Sequence, residues 1–106
     1  MKKIETLTQD ALEPLIQKGT TVLLFSATWC ADCHFLEPFL PEIEADFPDI
    51  AFYDIDRDHS IDLAKTLNIF GIPSFVAYRD GQEIGRLVNK DRKTKEEVEA
   101  FLKKLN

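Results

Sequence analysis

The chain has 106 residues, 44% of them hydrophobic and 30% charged, with only four glycines and five prolines. That length suits one domain around a single core, residues 1–106, and that mixture excludes a disordered or low-complexity chain. Nineteen acidic against thirteen basic residues leave a formal charge of -6, which argues against nucleic acid or an anionic membrane as a partner, since both call for clustered Lys and Arg.

In chain order, residues 4–7 read as a short strand. Asp10 then opens a helix with Glu13 three residues on, a capping-box-like pair; Pro14 falls in its first turn, where a missing N–H does least harm, and Gly19 supplies the stop. Val22 to Ser26 is short, apolar and β-rich, as a strand buried on both faces should be. Beyond it, Phe35, Leu36, Phe39, Leu40, Ile43 and Phe47 recur at helical spacing within residues 31–47. Pro38 and Pro41 must bend that helix or reset its start, and Pro48 ends it. Residues 50–55 form another strand, and the acids of Asp54-Ile55-Asp56-Arg57-Asp58 are expected to cap the following helix, residues 60–67, whose apolar face is Ile61, Leu63, Ala64 and Leu67. A calcium loop is excluded there, because His59 stands where glycine is needed and Lys65 where the closing Glu should be.

Phe70-Gly71-Ile72-Pro73 is a turn before a strand over residues 74–78. Asp80-Gly81 is a tight hairpin turn, and residues 82–88 are its returning strand. Lys90, Arg92, Lys93 and Lys95 form the one basic stretch and read as a solvated loop. Thr94 with Glu97 makes a capping box for a closing amphipathic helix carrying Val98, Phe101, Leu102 and Leu105. The order βαβαβαββα requires an α/β fold with a mixed five-stranded sheet: strands joined through helices run parallel, the last hairpin is antiparallel, and helices cover both faces. No early segment resembles a signal peptide and no run approaches the ~20 residues of a membrane span. A cytoplasmic monomer with no membrane partner is the expectation.

The two cysteines lie in Trp29-Cys30-Ala31-Asp32-Cys33-His34. A thiol–disulfide reaction needs a thiolate that attacks and a second sulfur that closes onto the first. If a helix begins at Cys30, three positions in its first turn bring both sulfurs to one face, and the free N–H groups and positive dipole end stabilise the Cys30 thiolate. Cys30 is then the nucleophile, and Cys33, shielded one turn in, is the resolving sulfur. A haem tether is a formal match to Cys30-Cys33-His34, yet the only methionine is Met1 and no second axial ligand is evident. Zinc would need two more ligands than Cys30 and Cys33, with only His34 and His59 on offer. An iron–sulfur cluster shared between two chains, or a protein-binding module without catalysis, remain as alternatives.

The Trp-Cys-x-x-Cys run after an apolar strand, Pro38 five residues past the second cysteine, Gly71-Ile72-Pro73 before a strand and the Asp80-Gly81 hairpin together resemble the thioredoxin family over nearly the whole chain. The Trp-Cys-x-Asp-Cys motif with the stretches FGIPSF and NKDRKTKEE is most similar to a branch of thioredoxin-like proteins from Gram-positive bacteria. The resemblance implies a thioredoxin-fold dithiol–disulfide oxidoreductase without a bound cofactor or metal, acting on protein or low-molecular-weight disulfides and recycled by a separate disulfide reductase. It also implies that Pro73 follows a cis peptide bond facing the cysteines, that Ile72 and Pro73 line the substrate groove, and that Trp29 flanks it.

The chain departs from the family at several places. Ala31-Asp32 replace Gly-Pro between the cysteines, and both are expected to modulate the nucleophile. At ~6 Å and an effective dielectric of ~40 to 80 the Asp32 charge disfavours a Cys30 thiolate by about 0.7 to 1.4 kcal/mol, whereas its backbone N–H, absent from proline, helps to cradle that thiolate. Leu24 stands where the family buries an acid and Phe52 where it places a lysine, so charge is exchanged for packing and Cys33 is expected to resolve mixed disulfides slowly. Ser26 replaces an aromatic, and Asn89 replaces a glycine, tolerating a left-handed backbone and adding a side chain to the groove.

Overall fold

The computed structural model describes residues 1–105. Its elements are β1 (Lys2–Ile4), α1 (Gln9–Ile16), β2 (Thr20–Ser26), α2 (Ala31–Leu36), a 3-10 turn (Glu37–Phe39), α3 (Leu40–Asp46), β3 (Ile50–Asp56), α4 (Ile61–Thr66), β4 (Ser74–Arg79), β5 (Gln82–Leu87) and α5 (Lys95–Lys103). The sheet order is β1-β3-β2-β4-β5, with β3 parallel to both of its neighbours and β4 antiparallel to β2 and β5. This is the mixed five-stranded sheet expected from the order of elements.

Alternation along β2 explains the layers. Leu23 and Phe25 point into a core under α1 and α4 that includes Leu12, Ile16, Ile55, Leu63 and Val76. Val22 and Leu24 point into the opposite core, under α2, α3 and α5, with Leu36, Ile43, Phe75, Val98 and Leu102. Because side chains on a strand alternate with period two, an apolar residue at every position is what burial on both faces demands.

Several boundaries move. β1 lies at Lys2–Ile4, where it pairs with Tyr53–Ile55, and the Leu7 N–H donates instead to Ser60 Oγ at 2.9 Å. Helix α1 is capped by Thr8, whose hydroxyl accepts from Ala11 N at 3.2 Å, not by Asp10. An extended Thr8 directs its side chain back at the first turn. Pro14 consequently falls inside the helix, on its exposed side where water can serve the freed carbonyl. The helical pattern of residues 31–47 is cut in two by the 3-10 turn, with Pro38 and Pro41 each at the start of the next piece. Ser60, not an acid, precedes α4, and Asp56 accepts from the N–H groups of Asp58 and His59 inside its own loop. Ile61 is exposed, since only Leu63 and Ala64 of that helix are buried.

The hairpin turn is held by its conformation. Asp80 and Gly81 both have positive φ, 50° and 88°, the pair of left-handed residues that matches strand twist. The capping box of α5 is present, with Thr94 accepting from Glu97 N at 3.1 Å. Of the two sheet edges, β1 is three residues long. The other, β5, carries exposed Gln82, Glu83 and Arg86 and a register shift opposite Ala77 and Tyr78.

Candidate active site

Strand β2 ends at Ser26, and residues 27–29 turn the chain so that Cys30 becomes the N-cap of α2. Its extended backbone, φ -86° and ψ 108°, aims the sulfur at the helix mouth, where Sγ accepts from Cys33 N at 3.1 Å. The two cysteines are joined as a disulfide, with Cα atoms 5.2 Å apart. A sulfur at this place sits among unpaired N–H donors, which favour negative charge once the bond is reduced.

The relative burial of the two cysteines differs from expectation. Cys30 is the buried member, 6% exposed, with the Ile72 carbonyl 4.0 Å from its sulfur. Cys33 is half-buried; it helps to wall a cavity of about 370 Å³ between α2 and the first strands instead of being sealed by packed side chains. Among the described residues, no group of three or more His, Cys, Asp or Glu side chains is gathered for a metal ion. His34 Nε2 engages the Thr28 carbonyl at 2.5 Å, and His59 Nδ1 pairs with Asp56 at 2.9 Å.

On the other side of Cys30, Trp29, Ala31, Asp32, Ile72 and Lys90 border a depression of about 410 Å³. Trp29 is 62% exposed yet fixed: its indole N–H donates to Asp58 at 2.6 Å, and the Arg57 guanidinium lies 5.5 Å from its ring. Phe70, 63% exposed on the same depression, was not singled out by the sequence reading, because nothing in its neighbours marks it as facing out. The Ile72–Pro73 peptide is cis, and Pro73 lies on the wall of the cavity beside Cys33.

The basic stretch is a loop running into α5 with Lys90 and Arg92 exposed, as a solvated loop should be, but Lys93 departs from that reading. Lys93 is 1% exposed, and its ammonium donates to Asn89 Oδ1 at 2.8 Å and to the Asp91 carbonyl at 2.6 Å, so that the loop closes around it. Burial pushes this ammonium below the usual lysine range, opposed by Asp91, Glu97 and Asp32. Asn89 is not left-handed: its side chain is spent inside the loop on Lys93 and Asp91 N, and its carbonyl rests against Gly71. Arg92 reaches back across the motif, with Nε 2.9 Å from Asp32 Oδ1 and the guanidinium 4.3 Å above the Phe35 ring.

Leu24 and Phe52 are both buried apolar side chains. The expectation that charge had given way to packing nevertheless holds only at those two positions, because Asp54, paired in register with Leu24, is 9% exposed on β3. Ser26 Oγ donates to Asp54 Oδ1 at 2.6 Å. Burial holds this carboxyl above the usual range, opposed by the Ser26 hydroxyl and by Lys3. The only signal in the sequence was an acid at an inward position of an otherwise apolar strand.

The family model described as Thioredoxin matches residues 3–104. Thioredoxin H2-1 of Oryza sativa subsp. japonica is 40% identical over 78 residues, covering 71% of this chain and 56% of that protein; the chain thus spans little more than half the length of several relatives it matches. The Homo sapiens protein named Thioredoxin is 31% identical over 99% of this chain and 98% of its own. Among solved structures, the oxidised form of mitochondrial Thioredoxin 3 from Saccharomyces cerevisiae has a TM-score of 0.76 at 31% identity, over 87% of this chain and 86% of that one.

Proposed function

The chain belongs to the thioredoxin family, and from that premise we propose that it is a thiol–disulfide oxidoreductase that reduces disulfides in proteins or small thiol compounds. The observation that carries this reading is the Cys30 sulfur at the mouth of α2 with Cys33 within bonding reach. In the reduced protein the Cys30 thiolate attacks one sulfur of the substrate disulfide; a bond forms between them, and the other substrate sulfur leaves as thiolate. The Cys33 sulfur then attacks Cys30, the Cys30–Cys33 bond forms, and the second substrate sulfur departs with the remaining electrons of the pair. A separate disulfide reductase returns two electrons and two protons to the couple.

Trp29, Phe70 and Ile72 frame the depression over Cys30 and suit an extended substrate segment, while Pro73 shapes the wall next to Cys33. The protein works as a cytoplasmic monomer without a cofactor, free of membranes and nucleic acid. No described helix is long and apolar enough to cross a membrane. The reading is tested by titrating the protein against a thiol–disulfide buffer and following reduction of a disulfide-bonded protein. A reversible two-electron couple with turnover supports it, and the lack of any such couple refutes it.

Asp32 modulates the nucleophile less than its charge alone implies, because Arg92 is paired to it at 2.9 Å. Arg92→Ala is expected to slow alkylation of reduced Cys30 at pH 7 by up to about tenfold, the equivalent of the 0.7 to 1.4 kcal/mol of unscreened repulsion at ~6 Å. Alkylation rates with iodoacetamide read the effect. Restoration of the rate by adding Asp32→Ala to the same protein ties it to that pair.

A further inference from the structure

The geometry points to Asp54 as the group that takes the proton from the Cys33 thiol when Cys33 attacks the mixed disulfide, an inference that rests on the oxidoreductase reading. Three observations converge on it. Asp54 and Cys33 wall the same cavity of about 370 Å³, the one from β3 and the other from α2, and Ser26 and Leu24 of β2 line it too. Leu24 removes any acid from β2 at this level, and parallel pairing sets Asp54 directly beside it, so the carboxyl of the neighbouring strand is the buried acid that remains. Among the described residues no arginine or lysine bonds this carboxyl, and the Ser26 hydroxyl is its one hydrogen-bond partner. A buried carboxylate with one oxygen satisfied is a better base than an exposed one, because burial disfavours its ionised form.

Each step balances. Cys33 gives its proton to the Asp54 carboxylate, and its sulfur attacks Cys30. The Cys30–Cys33 bond forms as the bond from Cys30 to the substrate breaks. The electron pair of the broken bond leaves on the substrate sulfur, and the proton held by Asp54 returns through the cavity to the product thiolate or to water. The charged groups facing Asp54 are Lys3 and the Met1 ammonium, which favour its ionised form, and Glu37, which opposes it. Glu5, His34 and Asp56 share the cavity wall.

Asp54→Asn keeps the shape and a partner for Ser26 while removing the proton acceptor. Stopped-flow reaction of the reduced protein with a disulfide-bonded substrate separates adduct formation at Cys30 from product release. The variant is expected to form the adduct at the wild-type rate and to release product about a hundredfold more slowly at neutral pH, the deficit shrinking as alkaline pH ionises Cys33 unaided. Its thermal midpoint at pH 7 is expected to equal or exceed that of the wild type: a carboxyl whose folded pKa is raised binds more protons in the folded state and loses stability as pH rises through that pKa, a penalty asparagine lacks. Ser26→Ala, which removes the bond opposing that rise, is expected to move the acid limb of the release rate to higher pH. Release from Asp54→Asn at the wild-type rate with an unchanged pH profile overturns the assignment while leaving the oxidoreductase reading intact. Failure of the wild-type protein to form any adduct refutes that underlying reading instead.

Discussion

Cys33→Ser is expected to leave the protein bound through Cys30 to its disulfide substrate, and Cys30→Ser to abolish exchange altogether. The difference follows from position. Only Cys30 occupies the N-cap, where its sulfur faces unpaired helix N–H groups and accepts from Cys33 N at 3.1 Å; that environment favours a thiolate, the form that attacks. Serine there offers a hydroxyl that stays protonated at neutral pH and cannot open a disulfide. Serine at position 33 spares the first attack and removes the second, so the adduct accumulates to one substrate per chain. Non-reducing electrophoresis and intact mass measure both. Cys33 is the less buried of the two cysteines, so adduct forming at Cys33 in Cys30→Ser, as fast as at Cys30 in the other variant, would reverse the roles.

Gly71→Ala is expected to cost about 1 to 3 kcal/mol of stability, the range for forcing extra volume into a packed place, and to lower the thermal midpoint by about 4 to 8 °C for each of them in a domain near this size. A Cβ at Gly71 would overlap the Asn89 carbonyl oxygen and lie 2.8 Å from the Lys90 Cα. These are backbone atoms, so no rotamer change relieves the clash. The 89–93 loop is itself tied down by Lys93 and by the Arg92 pair, so the strain falls on the segment that carries the Ile72 carbonyl toward Cys30. Substrate reduction should therefore fall along with the midpoint. A variant with native midpoint and native turnover would show that the two loops can slide past one another freely.

What could be read in the sequence was what is local. The cysteine pair, the prolines that divide the 31–47 helix, the Asp80-Gly81 turn and the Thr94–Glu97 box each depend on residues within a few positions of one another, and each fixes its own backbone. What could not be read depends on partners far along the chain. Lys93 belongs to a charged run, and its burial follows from carbonyls folding over it, which composition does not encode. Asp54 stands in a run of acids that reads as a cap for the next helix, and only the register between β2 and β3 sets it next to Leu24. Arg92 meets Asp32 across sixty positions of chain. The Thr8 cap is also local, an extended residue two positions before Asp10, where the Asp10–Glu13 spacing imitates a capping box.

The margins of the sheet have a consequence for how this molecule meets other chains. A rim strand with free backbone groups invites any unfolded peptide to zip onto it, and the outcome is aggregation. Here one rim offers three residues, and the other is kinked and fringed with Gln82, Glu83 and Arg86. Unfolded chains are thus discouraged from adhering along the flanks, while the depression over Cys30, bordered by Trp29, Phe70 and Ile72, stays open.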